Sequence, residues 1–163
     1  TRIRAPSNKD KHMEKTMNSP EYVTKEEVQR VCQELGFRDW TNLDTTAVTI
    51  EEARILQNEV GEEALQISTE SFQNGLQVEL EHGLEYSSSN VTNNHPILTA
   101  KIVLAHLKEM LDYYERLDMA EGEGDLLKAI IAGNVSKIRH EYAKLLAARM
   151  SLVHVEQELL GKK

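Results

Sequence analysis

Asn134-Val-Ser-Lys-Ile138-Arg-His-Glu-Tyr-Ala-Lys-Leu145-Leu146-Ala-Ala-Arg149-Met-Ser-Leu152-Val153-His-Val-Glu156-Gln-Glu-Leu159-Leu160 decides the fold class. It runs about twenty-six residues without proline or glycine, far longer than an ordinary strand. Ile138, Leu145, Leu152 and Leu159 recur every seventh position, with Leu146, Val153 and Leu160 beside them. The pattern predicts one amphipathic helix about 40 Å long with a broad apolar stripe. Arg149 and Glu156 fill the alternative seam positions, so a strict coiled coil is not expected. The stripe instead predicts packing against several elements, within the domain or on another copy.

Moving toward the N-terminus, Glu121-Gly-Glu-Gly-Asp125 reads as a break, with Asp125 capping a short apolar helix that ends at Gly133. Before it, a helix from Pro96 to about Leu117 is predicted to bury Ile97, Leu98, Ile102, Ala105 and Leu117. Asn94 or His95 is its cap, and Pro96 sits at the first helical position, where its missing N–H does no harm. A polar loop, 85–94, separates this helix from another over Thr69 to Leu84, in which Phe72, Leu76, Leu80 and Gly83 share one side. Further back lies an echo. Val23-Thr24-Lys-Glu-Glu27 through Gly36 is matched, twenty-five residues later, by Val48-Thr49-Ile-Glu-Glu52 through Gly61. Each copy predicts a short helix opened by a threonine–glutamate capping box and closed by glycine. Val28, Val31 and Leu35 line one side of the first, and Ala53, Leu56 and Val60 one side of the second. Two copies are too few for a solenoid. No strand pattern exceeds Ala47-Val-Thr-Ile50. The expected fold is all-α: a compact bundle of short capped helices, two longer helices and a long amphipathic C-terminal helix. Its expected divisions are a flexible basic arm (1–20), a helical domain (21–120) and a C-terminal helical extension (121–163).

The net charge of −8 argues against a general nucleic-acid binder. No apolar run approaches the ~20 residues of a membrane span. One cysteine, Cys32, excludes an internal disulfide framework; its place in an amphipathic helix without a local histidine predicts a buried or half-buried thiol. Charge is segregated: nine acids against Arg54 over 51–85, then seven bases against three acids over 126–163. Residues 1–20 are net basic by three and lack the apolar core of a secretory signal, which predicts an intracellular or within-particle location. The chain starts at Thr1, as a processed or trimmed chain would. Asn90-Val-Thr92 and Asn134-Val-Ser136 fit a glycosylation pattern without a signal to support it. No phosphate-binding glycine loop, nucleophile elbow or Cys-x-x-Cys pair occurs.

The chemically loaded residues are Glu79-x-x-His82 and His106-x-x-Glu109. Each pair lies one turn apart on a predicted helix, so each shares a face. If the helices pack, four metal-competent side chains could converge. Carboxylate-bridged di-metal bundles need a second Glu-x-x-His and two further glutamates, which are missing. A single-metal site for zinc or iron needs less. A structural imidazole–carboxylate network between packed helices fits the spacing as well, and such polar clusters outnumber functional ones. Glu79, His82, His106 and Glu109 are therefore the candidate metal ligands, and no catalytic residue is assigned.

Phe72-Gln-Asn-Gly75-Leu-Gln-Val-Glu79-Leu-Glu-His82-Gly83, Asn90-Val-Thr-Asn93, Pro96-Ile-Leu-Thr99 and Ala105-His106-Leu-Lys-Glu109 through Asp112-Tyr113-Tyr114-Glu-Arg-Leu117 together resemble a small family of uncharacterised bacterial and phage proteins. That family pairs an ELEHG helix with an AHL-x-E-x-x-DYY-x-x-L helix, and the likeness spans about residues 48–118. Gly36-Phe-Arg-Asp-Trp40 is similar to the family's glycine-to-tryptophan turn, although here it precedes the second capped helix. The family's acidic pair before the proline is replaced by Asn94-His95. The resemblance implies architecture and no reaction; members in phage structural regions imply a virion or assembly role. Two expectations follow. The first is a non-enzymatic structural or assembly protein of a larger complex, meeting protein partners or its own copies through the arm and the C-terminal helix. The second is a small metal-binding protein or metal-dependent enzyme using the histidine–glutamate residues.

Overall fold

A computed structural model describes residues 23–161; the expected arm over 1–20, with Lys162 and Lys163, lies outside the described residues. Six α-helices follow one another: α1 (Lys25–Leu35), α2 (Ile50–Val60), α3 (Thr69–Glu85), α4 (Pro96–Glu109), α5 (Tyr113–Ile131) and α6 (Val135–Gly161). Single 3-10 turns, Ala64–Gln66 and Ser87–Ser89, precede and follow the α3 region. No strand occurs among the described residues, and the fold is all-α. The non-helical Ala47–Thr49 stretch before α2 is held instead by α3: Gln73 Nε2 donates to Val48 O at 2.6 Å, and Gln77 Oε1 accepts from Val48 N at 3.2 Å.

The two echoed helices form where the caps place them, but only one has the full capping box. Thr49 Oγ1 accepts from Glu52 N at 3.1 Å, and Glu52 Oε2 accepts from Thr49 N at 2.7 Å. Thr24 Oγ1 likewise accepts from Glu27 N, yet Glu27 turns its carboxylate to Arg30, at 2.8 Å from Nε. The expected box at α1 is therefore half made, because a guanidinium one turn on outcompetes the backbone donor. Gly36 closes α1 in the left-handed region at φ 72°.

The core joins α1, α2, α3 and α4 through Val28, Cys32, Trp40, Ala53, Leu56, Phe72, Leu76, Leu80, Val103 and Leu107, with Tyr114 entering from α5. Cys32 is a buried free thiol, and burial pushes its pKa up. On α4 the buried side differs from the predicted one. Thr99, Ala100, Val103 and Leu107 are inside, Ile97, Leu98 and Ile102 are half-buried, and Ala105 is exposed. The small residues at 99 and 100 let α4 approach closely, and the larger ones cover the flanks.

The helix predicted to run to Leu117 ends at Glu109. Met110 is extended (φ −149°, ψ 127°), and the chain re-enters helix at Tyr113. No glycine or proline marks this bend. Its partners are tertiary: Tyr113 lies back on the His106 ring, Tyr114 drops into the core, and the buried Asp112 carboxylate takes Arg116 Nη2 at 2.6 Å. Conversely, the break expected at Glu121–Asp125 is uninterrupted helix inside α5. Gly122 faces α6, where a Cβ would stand 3.4 Å from Leu145 Cδ1. Close packing of α6 there outweighs glycine's poor helix propensity of about 1 kcal/mol.

The pair α5 and α6 forms an antiparallel hairpin, and α5 is by far the main partner of α6. The predicted broad stripe is split by this packing. Leu145 and Ala148 are buried, and Ile138, Leu152 and Leu159 are half-buried against the body of the fold. Leu146, Val153 and Leu160 lie outward with Tyr142 and Met150, the last at 74% exposure.

Candidate functional site

The packing of α3 against α4 and α5 brings Glu79 and His106 together. Gly75, one turn before Glu79, allows it: a Cβ there would lie 2.5 Å from Tyr114 Cε2 and 2.7 Å from Val103 Cγ1. Glu79 Oε1 accepts from Tyr114 Oη at 3.0 Å, and His106 Nε2 stands 3.7 Å from the same oxygen. The His106 ring stacks on Tyr113, with centroids 4.1 Å apart and planes 11° apart, and meets Tyr114 edge-on at 6.1 Å. One carboxylate from α3 thus meets an imidazole from α4 and a phenol from α5. Burial, with the Glu79 charge beside it, pushes the Tyr114 hydroxyl well above the usual phenol range, so it stays protonated and donates.

His82 faces elsewhere. Its Nε2 lies 3.1 Å from Glu121 Oε1 on α5. Glu109 sits exposed on the last turn of α4. The four residues singled out from the sequence therefore form one pair and two separate groups. Among the described residues no three His, Cys, Asp or Glu side chains gather into a group that could hold a metal ion. Two groups escaped the sequence reading. Glu121 was assigned to a break, and nothing in the spacing links it to a histidine thirty-nine residues earlier. Tyr114 stands in the sequence only as part of the family motif; its signal is the side of α5 it shares with Leu117.

Behind Gly83 the polar loop is tied down by asparagines. Asn90 Nδ2 donates to Gly83 O at 3.1 Å and to Asn94 Oδ1 at 2.7 Å, and Asn94 Nδ2 reaches Trp40 O at 3.4 Å. Any side chain at position 83 would run into Asn94. Asn93 and Asn94 take up left-handed backbone, which asparagine tolerates better than most residues. His95 caps α4 as expected, its Nδ1 accepting from Leu98 N at 3.4 Å. Burial pushes its pKa down, which keeps the ring neutral and able to accept.

Three clefts border His82, one of them running between α3 and α5 past Asn74, Tyr114 and Ser151. Of the other two, one of about 340 Å³ has Glu79, Thr92 and Thr99 in its wall. The other, of about 270 Å³, is acidic, with Glu81, Glu85, Asp118, Glu121 and Asp125 facing Lys128 and Lys144. Chemically, Glu79 with His106 and Tyr114 can store a charge between three helices, and His82 with Glu121 links α3 to α5. Among the described residues no helix is long and apolar enough to cross a membrane.

Neither the curated proteins nor the solved structures gave a match to this chain. One family model does match. It covers residues 28–123, from the middle of α1 to the middle of α5, a wider span than the motifs alone marked out. More than half of the sequence lies in that match, and the chain belongs to the family described as Protein of unknown function (DUF5661).

Proposed function

We propose that this protein is a non-enzymatic helical assembly protein, a subunit of a larger complex such as a virion or another multi-subunit particle. The observation that carries this reading is the outward face of α6. Leu146, Met150, Val153 and Leu160 lie exposed along it at 43%, 74%, 51% and 69%. A contiguous apolar face of this kind on a charged protein favours a protein contact. The face lies beyond the family-matched span. The resemblance to bacterial and phage proteins, some from structural regions, points the same way. In this reading Glu79, Tyr114 and His106 fasten α3, α4 and α5 into a rigid platform, and the basic residues 1–20 add a second contact.

Size fractionation of an extract from the source, followed by detection of the chain, tests the reading. Most of the chain is expected in a fraction many times heavier than the 18.5 kDa chain. Recovery of all of it at monomer mass would refute the proposal. The Glu79–His106 pair keeps single-metal binding as an alternative. A saturable rise in unfolding midpoint with added zinc or iron, lost in His106→Ala, would favour that reading.

A further inference from the structure

We infer that the partner on the outward face of α6 is a second copy of this chain, laid antiparallel across it about a two-fold axis near Ala147. The inference rests on the assembly reading and names the partner. Two features of α6 single out a second copy.

The first is spacing. The exposed apolar residues are Val135, Tyr142, Leu146, Met150, Val153 and Leu160. Counted from the N-terminal end the first steps are seven and four; counted back from Leu160 they are seven and three. At 100° per residue all six fall within about a quarter of the helix circumference. A stripe that reads nearly alike from both ends is what an isologous contact requires, because a two-fold axis presents the same patch to itself reversed. Val135 then faces the partner's Leu160, Tyr142 faces the partner's Val153, and Leu146 faces the partner's Met150.

The second is charge. At 100° per residue Arg139 falls on this stripe, whereas Lys137 and Lys144 fall on the opposite side of the helix, Lys144 toward Glu141 at 3.7 Å. In the C-terminal half Glu156 lies beside the stripe, held by Arg116 of its own α5 at 2.8 Å, and Glu158 turns to His154 at 3.2 Å. About the same axis Arg139 of each copy stands across from Glu156 of the other; parallel pairing would set Arg139 against Arg139. Arg149, nearest the axis, is drawn back by Glu123 of its own α5 at 3.8 Å, so two ion pairs meet there and not two bare cations.

Disulfide trapping tests the pairing. Full-length Tyr142→Cys and Val153→Cys chains are oxidised separately and as a mixture; the native Cys32 is 2% exposed and does not compete. The mixture is expected to give crosslinked dimer. Neither chain alone should do so, because like positions would lie about 16 Å apart along the seam, beyond the ~7 Å limit between the α-carbons of a disulfide. Circular dichroism checks that each variant keeps its helix content. Crosslinking of each variant to itself would mean a parallel pair and overturn the inference. A dimer mass without the mixed crosslink would place the contact on another face and also overturn it. A monomer mass for the purified protein would overturn the second copy as partner, while the extract fractionation separately decides the assembly reading.

Discussion

At Gly75 the backbone of α3 comes so near its neighbours that a single methyl group would overlap Tyr114 and Val103. Gly75→Ala is expected to lower stability by about 1–3 kcal/mol, the usual cost of overpacking, as a fall in denaturant midpoint. His95 gives a second test at this scale. Its folded-state pKa is depressed by burial, so the unfolded chain takes up the proton first as pH falls. Its contribution is fully present above the ordinary imidazole value near about 6.5 and is lost below it. Unfolding midpoints followed from pH 8 to pH 5 should show an acid-side loss that is smaller in His95→Asn, which caps without titrating. Some of this chemistry was legible in the sequence. Glu79 and His106 were singled out because each shares a helix face with a second metal-competent residue, yet the pairs that form cross between helices. Tyr114 and Glu121, which complete them, are set by how α5 packs, and no local spacing encodes that.

The helices divide into those written by local chemistry and those decided by packing. Thr24, Thr49 and Pro96 mark starts, and Gly36 an end, because caps act on backbone groups within one turn. The region from Glu109 to Asp125 obeys the opposite rule. A bend lies at Met110 where no breaker stands, and helix continues through two glycines. Propensity is about 1 kcal/mol at a glycine, and burying Tyr114, or seating Leu145 against α5, outweighs it. Gly124 makes this testable, since a Cβ there would meet nothing within 4 Å. Gly124→Ala is expected to raise stability by about 0.5–1 kcal/mol, read as a higher melting temperature. A loss of helix content or stability would mean that the glycine is needed for a bend after all.

For the whole molecule, the all-α class was legible because hydrophobic period and the absence of strand patterns agree along the entire chain. The role of α6 was not. Its two sets of apolar residues, one position apart, read as one broad stripe, and only the placement of α5 separates the covered set from the outward one. In the inferred pair, Arg139 and Glu156 of α6 become complementary when two copies run in opposite directions. The most direct measurement is the solution mass of the full-length chain by light scattering, beside the double variant Leu146→Glu/Val153→Glu. Twice the 18.5 kDa chain mass is expected for the native protein, and 18.5 kDa with unchanged helix content for the variant. A native protein at 18.5 kDa, or a variant that stays at twice that mass, would contradict the pairing of two copies through the outward face of α6.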